Sequence, residues 1–119
     1  SERVVCVDAG WLHSFAVTVS GNLYGWGRAD TGVLGIGIPG TKSICEPKSL
    51  PFEQPIKQIA TGMNHTLVLT CEGEVYSCGD DYYGQLGRIV NRKNNFQFVL
   101  IDTFNNIGIR QIAAGNNHS

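Results

Sequence analysis

Charge is scarce in this sequence. Only 16% of its 119 residues are Asp, Glu, Lys or Arg, against about a quarter in ordinary globular domains. The net charge is −1, so there is no global electrostatic pull toward DNA, RNA or an anionic membrane. Long hydrophobic runs are missing too. No stretch approaches the roughly 18 apolar residues that a membrane-crossing helix needs. The first residues hold no charged-then-apolar secretory segment. Cysteine spacing carries no chemistry: Cys6, Cys45, Cys71 and Cys78 form no C-x-x-C pair, and no histidine stands at zinc-finger distance from them. They read as buried, reduced, small apolar residues, which points to an intracellular setting, cytoplasmic or nuclear. There is no Ser/His/Asp arrangement, no informative carboxylate pair and no metal cluster. The expectation is therefore no catalytic residue, no metal and no cofactor.

What the sequence does have is glycine, 15 residues of it, and a repeat. Ala9-Gly10-Trp11-Leu12-His13-Ser14 returns as Thr61-Gly62-Met63-Asn64-His65-Thr66 and again as Ala114-Gly115-Asn116-Asn117-His118-Ser119. The first offset is 52 residues and the second 53. Without a gap, Thr18 meets Thr70, Gly21 meets Gly73, Tyr24 meets Tyr76, Gly27 meets Gly79 and Gly35 meets Gly87. Nine identities fall in the 29 positions from Val7 to Gly35. The expected units are residues 1–55, 56–108 and the start of a third at 109–119.

Each unit reads as four short strands. The first is Val4–Val7, with copies at Ile56–Ile59 and Ile109–Ile112. The second is Ser14–Val19, matching Thr66–Cys71, and the third is Leu23–Trp26, matching Val75–Cys78. The fourth is placed near Pro47–Leu50 and at Phe96–Ile101. Ser20-Gly21 and Glu72-Gly73 read as two-residue hairpin connections. The second strand is apolar on both faces, as in Leu67-Val68-Leu69. A sheet with one wet face would alternate. Burial on both faces predicts an all-β protein whose antiparallel four-stranded sheets stack as propeller blades. Gly10, Gly62 and Gly115 are assigned to sharp turns before the second strand. The glycines near 32–35 and 84–87 lack the Lys-Ser/Thr of a phosphate loop.

The pattern resembles the regulator of chromosome condensation repeat. In this sequence it reads Gly10-x-x-His13-Ser14, Gly21-x-Leu23-Tyr24-x-Trp26-Gly27, Gly32-Val33-Leu34-Gly35, and then Gly62-x-x-His65-Thr66, Gly73-x-Val75-Tyr76-x-Cys78-Gly79, Gly84-Gln85-Leu86-Gly87. Cys78 stands where the family prefers Trp, and Val33 where Gln is usual. The resemblance implies seven blades of about 50 residues, of which about 2.3 are here. Ser119 lies inside a repeated motif, so the expectation is a piece of a longer chain.

His13, His65 and His118 recur once per repeat. They are expected to be structural, hydrogen-bonding backbone near a strand start. Some photoreceptor relatives carry Trp at the place of Trp11 on several blades. Here Met63 and Asn116 occupy the equivalent positions, so that role is not expected. Arg88, Arg92 and Lys93 form a small basic group in a loop that differs between copies. They are candidates for meeting an acidic partner, against the plainer reading of a solvated loop. Asp80-Asp81 is assigned to a turn. Three functions stand: a protein-interaction scaffold first; guanine-nucleotide exchange on a small GTPase of the Ran type second, implied by the resemblance; chromatin binding third. The partners expected are a protein and the remaining blades, or self-association through open blade faces.

Overall fold

The computed structural model describes residues 3–29, 34–35, 42–50, 52–81, 83–87, 97–101, 109–115 and 118–119. Among them there is no helix. Two four-stranded antiparallel sheets are present, each a simple meander. The first is β1 (Val4–Ala9), β2 (His13–Thr18), β3 (Leu23–Arg28) and β4 (Ser43–Leu50). The second is β5 (Ile56–Thr61), β6 (His65–Thr70), β7 (Val75–Gly79) and β8 (Val99–Leu100). Their registers coincide under the 52-residue shift: His13 pairs with Gly27 and His65 with Gly79.

The β2–β3 connection is longer than two residues. Strand pairing ends at Thr18 and resumes at Leu23. The Gly21 N–H donates to the Thr18 carbonyl at 2.9 Å, and Gly21 then adopts φ 84°. This is a turn followed by a left-handed residue, the three-residue alternative to a two-residue hairpin. Thr18 also holds the turn through its side chain, whose hydroxyl accepts the Asn22 N–H at 3.2 Å. Thr70 repeats this with the Glu74 N–H at 3.1 Å. That explains the identity of Thr18 and Thr70, both buried at the strand end.

The outer strands depart from expectation. β4 starts at Ser43, four residues before Pro47. The ladder jumps from Gly25–Lys48 to Gly27–Ile44, so Cys45, Glu46 and Pro47 all face Trp26 in a bulge. Proline is tolerated there because a bulge on an edge strand needs no donor. β8 covers only Val99–Leu100, and Phe96 lies outside the described residues. Ile109–Ile112 forms no ladder. Its pairing partner, by analogy with His65–Thr70, would begin at His118, and only two of those residues are in the sequence.

The core lies between sheets. Phe15, Val17, Leu23 and Leu50 of the first sheet pack against Ile56, Ile59 and Val68 of the second. On the far side of the second sheet, Leu67, Leu69 and Val75 pack against Ile109, Ile112 and Ala114. Every residue of β6 is buried, and its side chains serve the two cores alternately, as a two-residue period dictates. The double-sided apolar pattern is therefore two interfaces, one per face. Phe15 is fully buried between blades. Phe15→Ala is expected to cost about 3–5 kcal/mol, measured as a shift in the urea unfolding midpoint at unchanged slope.

Candidate functional site

The repeated Gly-x-x-His-Ser/Thr motif sits at the junction between blades. The Gly10 N–H donates to the His13 carbonyl at 2.9 Å, closing the passage from β1 to β2. Gly62 and His65, then Gly115 and His118, do the same at 2.8 Å. These three glycines are not among those with positive φ, so a sharp turn is not what requires them. Space is the reason. A Cβ on Gly10 would overlap the His13 ring and come within 2.5 Å of the Gly62 carbonyl oxygen. A Cβ on Gly62 would overlap the His65 ring and approach the Gly115 carbonyl oxygen to 2.5 Å. The glycine thus makes room for its own histidine and for the next blade.

Each imidazole then reaches forward by one blade. His13 Nε2 lies 3.3 Å from Thr66 Oγ1. His65 Nε2 lies 3.0 Å from Ser119 Oγ. The expected partner of these histidines is backbone, and the His118 backbone does act on the His65 ring; the Nε2 atoms also meet the hydroxyl that follows the next motif histidine. Either atom of each pair can donate, according to the tautomer. His13 and His65 are buried. Burial, with the neighbouring His65 adding to it and Asp8 opposing it, lowers the His13 pKa from 6.5 to about 4. Burial likewise lowers that of His65, against the raising influence of the His118 backbone and of Asp80 and Asp81. Burial thus favours the neutral ring at both positions.

Two further side chains fasten the inner strands. Asp8 accepts the Thr61 N–H of the next blade at 2.9 Å through one carboxylate oxygen and the Ala9 N–H at 3.0 Å through the other. Gln58 exchanges two bonds with Ile112: its amide donates to the Ile112 carbonyl at 2.8 Å and accepts the Ile112 N–H at 3.2 Å. These roles were not legible in sequence, because the two residues occupy different repeat positions, with Cys6 and Ala60 at the alternates. The turn carbonyls Gly21 and Gly73 add a third link, accepting the Ile56 and Ile109 N–H groups at 2.9 and 3.4 Å.

The Gly84-Gln85-Leu86-Gly87 loop is pinned from within. Tyr83 N–H donates to Gln85 Oε1, Gly84 N–H to the Asp81 carbonyl, Leu86 N–H to Asp81 Oδ1 and Gly87 N–H to the Gly84 carbonyl, at 2.8–3.2 Å. With those donors occupied and two carboxylates beside them, this loop does not cradle phosphate. Asp80-Asp81 serves the turn, Asp80 accepting from the Gln85 amide at 3.4 Å. Tyr24 and Tyr76 are half-buried; Tyr76 meets Phe52 edge-on with ring centres 5.2 Å apart. Trp11 is 64% exposed. The thiols correct the expectation of burial: only Cys78 is buried, Cys6 is half-buried, and Cys45 and Cys71 are exposed. Cys45 lies in the β4 bulge and Cys71 just past the end of β6, places that no second sheet covers. All four are free. No group of three His, Cys, Asp or Glu suited to a metal occurs among the described residues. Arg88, Arg92 and Lys93 lie outside the described residues.

Two measurements test the junction. Gly62→Ala forces overlap with a buried ring and a backbone carbonyl, so it should destabilise by several times the ~1 kcal/mol that the same change shifts an unstrained site. Acid should open the junction. The unfolded histidine takes a proton near 6.5 while folded His13 resists until about 4. Stability is therefore fully present above pH 6.5 and falls as pH drops from 6.5 toward 4, by up to about 3 kcal/mol for this ring. Urea midpoints across that range, with His13→Asn flattening the slope, provide the check.

The chain matches two family models described as regulator of chromosome condensation (RCC1) repeat, one over residues 4–32 and 56–85, the other over 20–69 and 72–119. It is 38% identical over 90 residues to the human regulator of chromosome condensation, covering 74% of this chain and 21% of that protein. Its fold matches the crystal structure of human WBSCR16 with a TM-score of 0.82 at 24% identity, over 97% of this chain and 29% of that one. It also matches Prp20p from Saccharomyces cerevisiae, whose structure is reported with its binding properties to Gsp1p and histones, with a TM-score of 0.69 at 25% identity over 95% of this chain and 29% of that one. The chain therefore spans about a fifth to under a third of these relatives. With two blades in matching register and one of the family models covering most of its length, this chain belongs to the RCC1 repeat family of β-propellers.

Proposed function

We propose that these repeats, bounded at residues 1–55, 56–108 and 109–119, form part of a protein-interaction scaffold. The observation that carries this is the junction: buried, polar and sterically tight, it fixes the angle between blades. A scaffold of this kind presents variable loops in fixed positions. The loop with Arg88, Arg92 and Lys93 is the one assigned to an acidic protein surface. The first blade also keeps an open face. Val4 is 50% and Val7 64% exposed, where their counterparts Ile56 and Ile59 are 3% and 4%. A further blade, or a second molecule, would cover it. Free thiols fit a reducing, intracellular setting.

Nucleotide exchange on a Ran-type GTPase is the second reading. It is favoured by similarity to the human regulator and to Prp20p, a protein reported to bind Gsp1p. Binding of Prp20p to histones supports a chromatin role in the same way. Exchange would use loops from several blades on one propeller face, and this chain spans 21% of the human regulator.

The deciding experiment measures release of labelled GDP from Ran and other small GTPases by the full-length protein, together with capture of acidic partner proteins. The scaffold reading expects no acceleration, and capture that falls at least tenfold in Arg88→Ala/Arg92→Ala/Lys93→Ala. Accelerated release from any GTPase would replace it with the exchange reading. The 119-residue chain alone is expected to leave release rates unchanged.

A further inference from the structure

We infer that the cavity between the outer parts of the two blades is a site for an arginine side chain presented by a partner protein, its guanidinium set against Phe52, Phe98 and Tyr76 and drawn in by Glu53. The inference rests on the protein-interaction reading and names the chemistry of one contact within it.

Sheets that radiate from an axis part toward the rim, and bulky side chains must fill the wedge they leave. Phe52, on the link between β4 and β5, meets Tyr76 of β7 edge-on at 5.2 Å and Phe98, just ahead of β8, at 5.3 Å. Phe98 in turn stands edge-on to Phe15 of the core between the blades, at 6.3 Å. The rings do not fill the wedge. A cavity of about 380 Å³ remains, with Lys48, Glu53 and Gln54 on its wall beside the three rings. That is the small end of ligand-sized pockets, suited to a single side chain. All six residues belong to the two blades present, so the cavity needs no other part of the protein to complete it. The three rings are half-buried, neither closed into the core nor given over to solvent.

These walls suit one kind of guest. Aromatic faces attract a cation through the ring quadrupole. Two carboxylates act at the same place. Burial first, then Glu74 and Glu53, raise the pKa of the Tyr76 phenol, and a field that holds a proton on a phenol also favours a cationic guest. Lys48 opposes this, one ammonium against two carboxylates. The side-chain oxygen of Gln54 is buried and has no hydrogen-bond partner among the described residues. An acceptor left so is a standing cost, and no bond to that oxygen keeps the amide from turning it toward a guest's N–H. A guanidinium meets each demand. It is flat enough to lie on a ring, carries donors along its edge for an amide oxygen and a carboxylate, and is more weakly hydrated than an ammonium, so it enters a partly apolar cavity at lower cost. A trimethylated ammonium would use the rings and leave the Gln54 acceptor unmet. An anion would face the carboxylates and the negative ring faces.

The test uses the full-length protein and saturation-transfer NMR with blocked amino acids as probes. N-acetylarginine amide should bind at least about tenfold more tightly than N-acetylcitrulline amide, which has nearly the same shape and no charge. Glu53→Gln should weaken the arginine probe by about threefold or more, and Lys48→Gln should tighten it. Phe52→Leu, which keeps an apolar side chain without the ring, should weaken it as well. Gln54→Leu should weaken it without lowering the thermal unfolding midpoint, because it removes an acceptor that the fold itself leaves unused. Equal binding of the arginine and citrulline probes overturns the inference. So does a trimethyllysine probe that binds as tightly as arginine, weaker arginine binding by Lys48→Gln, or full binding by Gln54→Leu. Acidic-partner capture and nucleotide release do not enter these measurements, so a failure here and a failure of the scaffold reading are read from different experiments.

Discussion

Both faces of β6 are apolar, and a single sheet has no way to keep both out of water. Leu67 and Leu69 point one way and Val68 the other, and all are nearly inaccessible. Only a sheet on each side meets that demand. Stacking is therefore the condition under which the repeat folds at all, and other features of the chain serve it. The tight turns keep each meander narrow. Among the largest fully buried apolar side chains, Phe15 and Leu23 sit where one blade meets the next.

Apolar faces alone would not fix how two sheets lie on each other, because the hydrophobic effect has no direction. Direction comes from polar groups buried at the same junction. An imidazole reaching a hydroxyl 3.0–3.3 Å away, a carboxylate on a strand amide, and a Gln amide paired with backbone each tolerate little displacement, since an unmade bond in that setting leaves a desolvated group without compensation. The price is a neutral histidine and a glycine with no substitute beside it. Loops on blades held this way stay in register with one another, and that fixed spacing is what an interaction surface assembled from several blades needs.

Much of this was legible before any coordinates. The 52-residue repeat, the all-β class, the meander and the double-sided burial all followed from periodicity and glycine placement. The motif histidines stood out because they recur. Other features were hidden for identifiable reasons. Asp8 and Gln58 do one task from two repeat positions, so no recurring letter marks them. The hydroxyl residue after the motif histidine did recur, yet the significance of Thr66 and Ser119 depends on a histidine 53 or 54 residues away. The exposure of Cys45 and Cys71 depended on a bulge and a turn boundary that local propensity does not set.

Sequence by itself determined where the first three strands of each blade lie and that each sheet needs neighbours, because those follow from the spacing of apolar residues and glycines along the chain. Tertiary structure alone decided why Gly10 and Gly62 must lack a side chain, which atom each histidine reaches, and which side chains bridge the blades. Those depend on distances between residues more than fifty positions apart, and such distances exist only once the sheets have stacked.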